Sequence, residues 1–375
     1  MSATSFITRL RAEVRSLPAY NAGLSADLVR AQYGVAHVAK LGSNENPAGA
    51  SAAVLAHLAH WTTTASLALY PDPSCSVLRA MIAGKLDVAP EQLLFGNGSE
   101  DLLAIAAHTF LGAGDDVVTV VPSFGLHIIY PQSVGANVVT VPMRADLEFD
   151  VDALISAITP RTRMLIVSNP SNPVGCAMNA AEMRRLLSAV SSNTLVLWDE
   201  AYFEYAADEH GYPDSLAILR EFDVPWLLLR TFSKAYGLAG LRVGYGVASA
   251  PELAALMDRV RTPFNINQIA QEAAAVAFKD QAHVAASVEN TRAGRGKMRA
   301  ALESLGIYPA RSLANFLFFD CGEDAAALAA RMLADGVIIK PWREAGYETC
   351  MRVSIGSAAD NAMFIESFKR RRAAD

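Results

Sequence analysis

From Leu93 onward the chain alternates short, almost wholly apolar runs with segments of helical character, and that alternation leaves few folds open. The runs are Leu93–Phe95, Asp116–Val121, Asn137–Val141, Met164–Val167, Thr194–Trp198, Trp226–Leu229 and Val243–Val247. Each is too short for a helix and rich in aliphatic residues, which marks a buried strand. Helices are expected between them over Glu100–Phe110, Val151–Ile158, Ala180–Ser191 and Ser215–Glu221. Strands that are apolar on both faces need cover on both faces. The pattern therefore predicts an α/β fold, a mostly parallel, doubly wound seven-stranded sheet.

The chain is long enough for more than one such unit. Its 375 residues exceed the roughly 250–300 at which a single core stops growing. After Pro251 the pattern turns helical, with a break at Thr262-Pro263 and a resumption at Gln268. The alanine-rich stretch Ala270–Phe278 reads as buried, either as a domain linker or against a partner subunit. From about Ser304 a second order appears: strand Asn315–Phe319, helix Ala325–Ala334, strands Val337–Lys340 and Met351–Ile355, and a last helix from Ala359. That order fits a small α+β domain. Ahead of both, residues 1 to about 40 read as an arm with one helical portion, and helices are expected over Ala52–His60 and Val77–Lys85. The division expected is an arm over 1–45 that contributes to the small domain, a large domain over 46–285 and a small domain over 286–375.

Composition removes several classes of function. A formal net charge of -6, with no long basic run, offers no electrostatic footing for nucleic acid. The cluster Lys369–Arg372 reads as a solvated helix end. The four cysteines, Cys75, Cys176, Cys321 and Cys350, are scattered with no C-x-x-C pair. That speaks against a zinc site or a disulfide framework and for reduced thiols. The first ten residues carry no long apolar h-region. No segment approaches the ~20 apolar residues that span a bilayer. A cytoplasmic protein without metal or membrane is expected.

In an open α/β sheet, ligands sit outside the carboxyl ends of the strands, so the residues just after each predicted strand deserve the closest reading. Trp226–Leu229 leads into Thr231-Phe-Ser-Lys-Ala-Tyr-Gly-Leu-Ala-Gly-Leu-Arg242. A lysine among hydroxyls and glycines at a strand end suits a Schiff-base amine held against a carbonyl carbon, although an ordinary loop lysine has the same local signature. Ser233 and Arg242 supply a hydroxyl donor and a planar cation for a phosphate. Gly96-Asn-Gly-Ser-Glu100 opens a helix whose free amides form an anion site. Pro122-Ser-Phe-Gly125 puts Phe124 where a ring could stack on a pyridine, or where it could simply fill the core. In Asn169-Pro-Ser-Asn-Pro-Val-Gly175 the prolines fix a turn, and Asn172 is free to donate its amide. Asp199 ends the very apolar Leu195–Trp198. A carboxylate there is costly to bury unpaired; a pyridinium nitrogen would pair it, and a helix N-cap is the local competitor.

Taken in chain order, these motifs resemble those of fold-type I pyridoxal-phosphate enzymes, most closely the histidinol-phosphate aminotransferase family, from about Tyr20 to the last helix. The resemblance implies that Lys234 carries pyridoxal 5'-phosphate and that Asp199 pairs with its ring nitrogen. It implies that Asn172 and Tyr202 hold the phenolic oxygen and that Phe124 stacks on the ring. Gly98, Ser99, Glu100, Thr231, Ser233 and Arg242 would surround the phosphate. Tyr70, in Tyr-Pro-Asp, resembles a tyrosine that reaches the partner subunit's cofactor phosphate in a homodimer; packing within its own subunit is the plainer fate.

For the substrate, Arg352 resembles the family arginine that grips an anionic end, and Tyr20 and Asn46 match pocket positions. Lys340 stands where many members carry arginine, and His127 where some carry tyrosine, so both are expected to bear on specificity. The activity implied is transfer of an amino group from a small-molecule amine to a 2-oxo acid, with L-histidinol phosphate and 2-oxoglutarate as the pair. An aromatic-amino-acid aminotransferase and a threonine-phosphate decarboxylase share the same motifs. A regulator without turnover would be expected to append a DNA-binding segment, and none is recognisable.

Overall fold

Burial is deepest where the sequence is most apolar, and this sets the order of the central sheet. A computed structural model describes residues 9–65 and 67–372. Its strands are β1 (Ala39–Lys40), β2 (Leu93–Gly96), β3 (Asp116–Val121), β4 (Asn137–Pro142), β5 (Thr162–Ser168), β6 (Leu195–Asp199), β7 (Trp226–Thr231), β8 (Gly244–Ala248), β9 (Phe316–Asp320), β10 (Val337–Ile338), β11 (Lys340–Pro341) and β12 (Cys350–Ser354). The large sheet has the order β2-β8-β7-β6-β5-β3-β4. Every residue of β6 and β7 is buried, whereas in the edge strand β4 Val141 alone is buried. Side chains leave alternate faces of a strand. Val196 and Trp198 accordingly join one core with Val167 and Leu228, while Leu195 and Leu197 join another with Ile166 and Leu229.

The sheet is parallel except at β8, which runs antiparallel to both β2 and β7. The reason is local. Between Thr231 and Gly244 the chain holds only a short 3₁₀ turn, Ala239–Leu241, and a parallel return needs a full crossover, usually a helix. The segment carrying Lys234 is therefore the tight link of an antiparallel pair, with Thr231 opposite Gly244.

The expected strands are all present, with ends shifted by a residue or two. Three features depart from the reading. The helix Leu126–Ser133 was not foreseen, because Pro131 inside it reads as a breaker. The strand expected over Val337–Lys340 splits at Ile339: β10 pairs in parallel with β1, and β11 pairs antiparallel with β12. Among its described residues the arm has the helices Ala12–Arg15 and Ala26–Tyr33, where one helical portion was expected.

β9, β11 and β12 form the small sheet, in the order β11-β12-β9, with a core of its own that includes Leu317, Phe319, Met351 and Phe364. The long helix Gln281–Glu303 links the cores, contributing Val284 and Val288 to the large one and Met298 and Leu302 to the small one. A boundary after residue 285 thus falls in its first turns. The alanine stripe Ala270, Ala273, Ala274 and Ala277 packs within the large core of this chain. It is therefore not the face left for a partner. Arg370 and Arg371 pair with Asp335 instead of standing free at the helix end.

Candidate active site

The carboxyl ends of β2, β3, β5, β6 and β7 meet at a cleft of about 670 Å³, roofed by the arm and by the loop after β11. Gly98, Ser99, Glu100, Phe124, Asn172, Asp199, Tyr202, Thr231, Ser233, Lys234 and Arg242 all line it, as do Tyr20, Lys340 and Arg352. Most of the expected site is thus brought together.

At one end lies a cradle for an anion. The helix Ser99–Phe110 begins there, so its first amides are free of helical partners. Thr231 Oγ1 donates to Ser233 Oγ at 3.0 Å. Arg242 reaches in from a left-handed backbone position (φ 58°), and its Nη2 lies 3.2 Å from the Asn97 carbonyl and 3.4 Å from Glu100 Oε2. Gly98 (φ +83°) lies so close that a Cβ would sit 2.5 Å from that guanidinium nitrogen, and a Cβ on Gly244 would collide with the Ser99 amide. Hydroxyls, free amides and a guanidinium around a backbone stripped of side chains fit a phosphate group.

Deeper in the cleft stands Lys234, whose Nζ donates to the Ser43 carbonyl at 3.2 Å. Burial, with Arg352 as the next contribution, pushes its amine down to about 8. Asp199 closes β6. Its Oδ1 accepts from the Ala201 amide at 3.0 Å, a local turn bond and not a helix cap, because the next helix begins at Phe203 with Tyr202 as its N-cap. Its Oδ2 accepts from His127 Nε2 at 3.1 Å, leaving His127 Nδ1 to accept from Ser123 Oγ at 3.2 Å. His127 is fully buried and does not line the cleft. The expectation that it bears on specificity is corrected: it holds the carboxylate from behind. Behind Asp199 again, Glu200 and Arg230 form a buried ion pair at 2.8 Å.

The Tyr202 hydroxyl accepts from Asn44 Nδ2 at 2.8 Å, and burial pushes it up to about 12. Asn172 Oδ1 accepts from Arg352 at 2.6 Å, which keeps the Asn172 amide nitrogen as a donor. Phe124 faces the cleft, with Tyr20 edge-on at 5.9 Å and His127 edge-on at 5.5 Å. Arg352 is buried; a second donor goes to the Gly42 carbonyl at 2.7 Å, and its Nε has no partner. Burial lowers its affinity for the proton. Lys340 donates to the Asn21 carbonyl at 2.6 Å, and burial pushes it down to about 8.

Two expected residues lie elsewhere. Asn46 does not reach the cleft. Its amide donates to the Ala235 carbonyl and to Ser287 Oγ, bracing the residue next to Lys234 from outside. Asn44 takes the inner place instead. With φ at 56° it turns its side chain inward and joins Tyr202, Ser354 and Asn315. Asparagine tolerates that conformation better than most residues, and this was the available signal. Tyr70 is 81% exposed, stacks on Phe264 at 4.5 Å and lies outside the cleft of its own chain.

A lysine with a lowered pKa, a buried carboxylate across from it and a phosphate cradle at the N-terminus of a helix together define the fold-type I class of pyridoxal-phosphate enzymes. The sheet around them has that architecture. The chain belongs to the aminotransferase class I and II family, whose sequence model matches residues 36–368. It is 46% identical to histidinol-phosphate aminotransferase 1 of Mesorhizobium japonicum, over 96% of this chain and 98% of the relative. It is 40% identical to the histidinol-phosphate aminotransferase of Moorella thermoacetica, over 97% and 93%. The crystal structure of histidinol-phosphate aminotransferase from Sinorhizobium meliloti, in complex with pyridoxal-5'-phosphate, superposes with a TM-score of 0.87 at 28% identity, covering 97% of this chain and 98% of that one. The enzyme is thus a pyridoxal-phosphate-dependent aminotransferase that takes an amine and a 2-oxo acid. Among the described residues no helix is long and apolar enough to cross a membrane, and no cluster of side chains is arranged to hold a metal.

Proposed function

We propose that this enzyme transfers the amino group of L-histidinol phosphate to 2-oxoglutarate, giving imidazole acetol phosphate and L-glutamate, in histidine biosynthesis. The observation that carries this reading is a second anion site in the cleft. Arg352, with an unpartnered Nε, and Lys340 line it together with the cradle formed by Ser99, Ser233 and Arg242. One site serves the cofactor phosphate, and the other serves the phosphate of the substrate. The near-complete match to relatives bearing this name supports the choice.

Pyridoxal phosphate, when bound, supplies an electron sink for the charge that develops at the substrate's α-carbon. The residues divide the remaining work. Asp199 holds a proton on the ring nitrogen, and His127 keeps that carboxylate in place. Asn172 and Tyr202 would hold the phenolic oxygen, and Phe124 would stack on the ring. Lys234 would carry the cofactor between turnovers; its freed Nζ takes the proton from the α-carbon of the amine and, in the second half-reaction, delivers one to the α-carbon of the new amino acid. Arg352 and Lys340 hold the substrate anion, and Tyr20 closes the cleft over it.

The aromatic walls of the cleft, Tyr20, Phe124 and Trp342, support a second reading in which Arg352 holds the carboxylate of an aromatic amino acid. A half-reaction screen separates the two. Holoenzyme is mixed with histidinol phosphate, phenylalanine, tyrosine or threonine phosphate while the cofactor spectrum is followed. Histidinol phosphate should react with the highest kcat/KM; a tenfold advantage for phenylalanine or tyrosine would transfer the assignment to the aromatic enzyme.

The protein we infer is a cytoplasmic homodimer with shared sites. Leu67, Leu69, Tyr70 and Val77 are all more than 60% exposed. Such a concentration of apolar surface marks an association face. Tyr70 would reach the partner's cofactor phosphate from it.

A further inference from the structure

The cleft wall carries an acid for which the amino transfer has no use. Glu344 is half-buried in the loop after β11 and faces the cleft. Its Oε2 accepts two hydrogen bonds, from the Trp342 indole at 2.7 Å and from the Ser123 amide at 3.1 Å. Both fall on the same oxygen, so the carboxyl group is fixed in direction and Oε1 is left without a protein donor. Among the described residues neither neighbouring cation pairs with Glu344: Lys340 bonds Asn21, and Arg352 bonds Asn172 and Gly42. Burial raises the carboxyl group above its ordinary range, and no cation offsets that effect. A partly desolvated acceptor that faces the cleft with one oxygen free of protein donors gains from a donor a ligand brings.

Its two anchors decide what kind of donor fits. Trp342 bounds the cleft, and Ser123 precedes Phe124, which meets Tyr20 edge-on. The free oxygen therefore stands beside aromatic walls that suit a flat ring. A ring with an N–H on its edge would satisfy both features, and a phenyl ring would leave Oε1 dry and unpaired.

We propose that Glu344 is a specificity residue of the amine half-reaction, its Oε1 accepting the ring N–H of an imidazole side chain and so discriminating against a phenyl ring. The proposal deepens the histidinol-phosphate reading and rests on it for the natural substrate, but the ring preference is measurable separately. The test uses two pairs that differ only in the ring: histidinol phosphate with phenylalaninol phosphate, and histidine with phenylalanine. Half-reaction kcat/KM is measured for wild-type holoenzyme, Glu344→Gln and Glu344→Ala. In Glu344→Gln the amide oxygen keeps the two protein donors and its NH2 faces the ligand, where it can meet only the acceptor nitrogen of a neutral imidazole, whereas Glu344→Ala removes the contact.

Wild type should favour the imidazole member of each pair. Glu344→Ala should shrink that preference by roughly 10- to 100-fold, the range of a hydrogen bond to a charged group, and Glu344→Gln by less, because the charge is lost while one neutral contact can re-form. The change should appear in KM for the imidazole member, with kcat little altered and the phenyl member unaffected. A preference unchanged within twofold, or an equal loss on both members, would overturn the proposal. Poor turnover of histidinol phosphate by wild type would sink the substrate reading alone, because histidine against phenylalanine would still report on Glu344.

Discussion

An amine can attack a carbonyl only when neutral, so the environment of Lys234 has a direct kinetic consequence. Its folded pKa, pushed down to about 8, lies below the ordinary 10.5. Capture of pyridoxal phosphate by the apoprotein should therefore accelerate about tenfold per pH unit up to about 8 and flatten above it. Stopped-flow absorbance would show this; a rate still climbing at pH 10 would mean that the amine is not desolvated. His127 makes a second residue-level test. Because it touches Asp199 and not the cleft, His127→Leu should lower kcat for every amine by a similar factor and leave the substrate ranking unchanged. A changed ranking, read from the same half-reaction screen, would restore it to the specificity set. At this scale the sequence was legible where chemistry needs a residue type at a strand end, as with Lys234, Asp199 and Arg242. It was not legible where side-chain direction decides. Asn44 and Asn46 lie two positions apart in one polar turn, and only the left-handed backbone at Asn44 shows which of them points inward.

At the level of elements, the strands could be read because central, doubly covered strands must be apolar along their whole length. The helix Leu126–Ser133 was hidden by Pro131, since its packing overrides the local preference. The short helix Phe203–Ala206, directly after Tyr202, carries a feature no pattern announces: Glu204, whose Oε2 is buried without a partner. Burial raises its carboxyl from 4.5 to about 7. The folded state thus keeps this proton through a range where the unfolded chain has lost it. Stability should fall as pH rises from about 4.5 to about 7 and then level off. Glu204→Gln should remove that slope and add roughly 3 kcal/mol above pH 7. Urea unfolding at pH 5, 6, 7 and 8 would measure it, and parallel pH dependences for the two proteins would contradict the assignment.

For the whole molecule, the Tyr-Pro-Asp resemblance places Tyr70 in the partner's site, a placement that a single chain cannot display. Subunit exchange between Tyr70→Phe and Lys234→Ala tests it. If Tyr70 acts across the interface, the heterodimer gathers both lesions in one site and leaves the other intact, so activity should rise well above that of either parent. No rescue after verified exchange would place Tyr70 in its own subunit. The same architecture bears on how the enzyme is made. Asn44, which holds the Tyr202 hydroxyl, receives its own hydrogen bonds from Asn315 and Ser354, and its amide bonds a residue 310 positions away. Arg352 likewise grips Gly42. A nascent chain has therefore long finished the sheet and its catalytic lysine before the far wall of the cleft emerges from the ribosome. From the end of β8 at Ala248 to Arg352, at roughly 5–20 residues per second, the delay is on the order of 5–20 s. During that time Lys234 lacks the wall formed by Arg352 and by Ser354 with Asn44, and the large core still waits for Phe316, Phe318 and Trp342, so the cleft can be complete only near the end of synthesis.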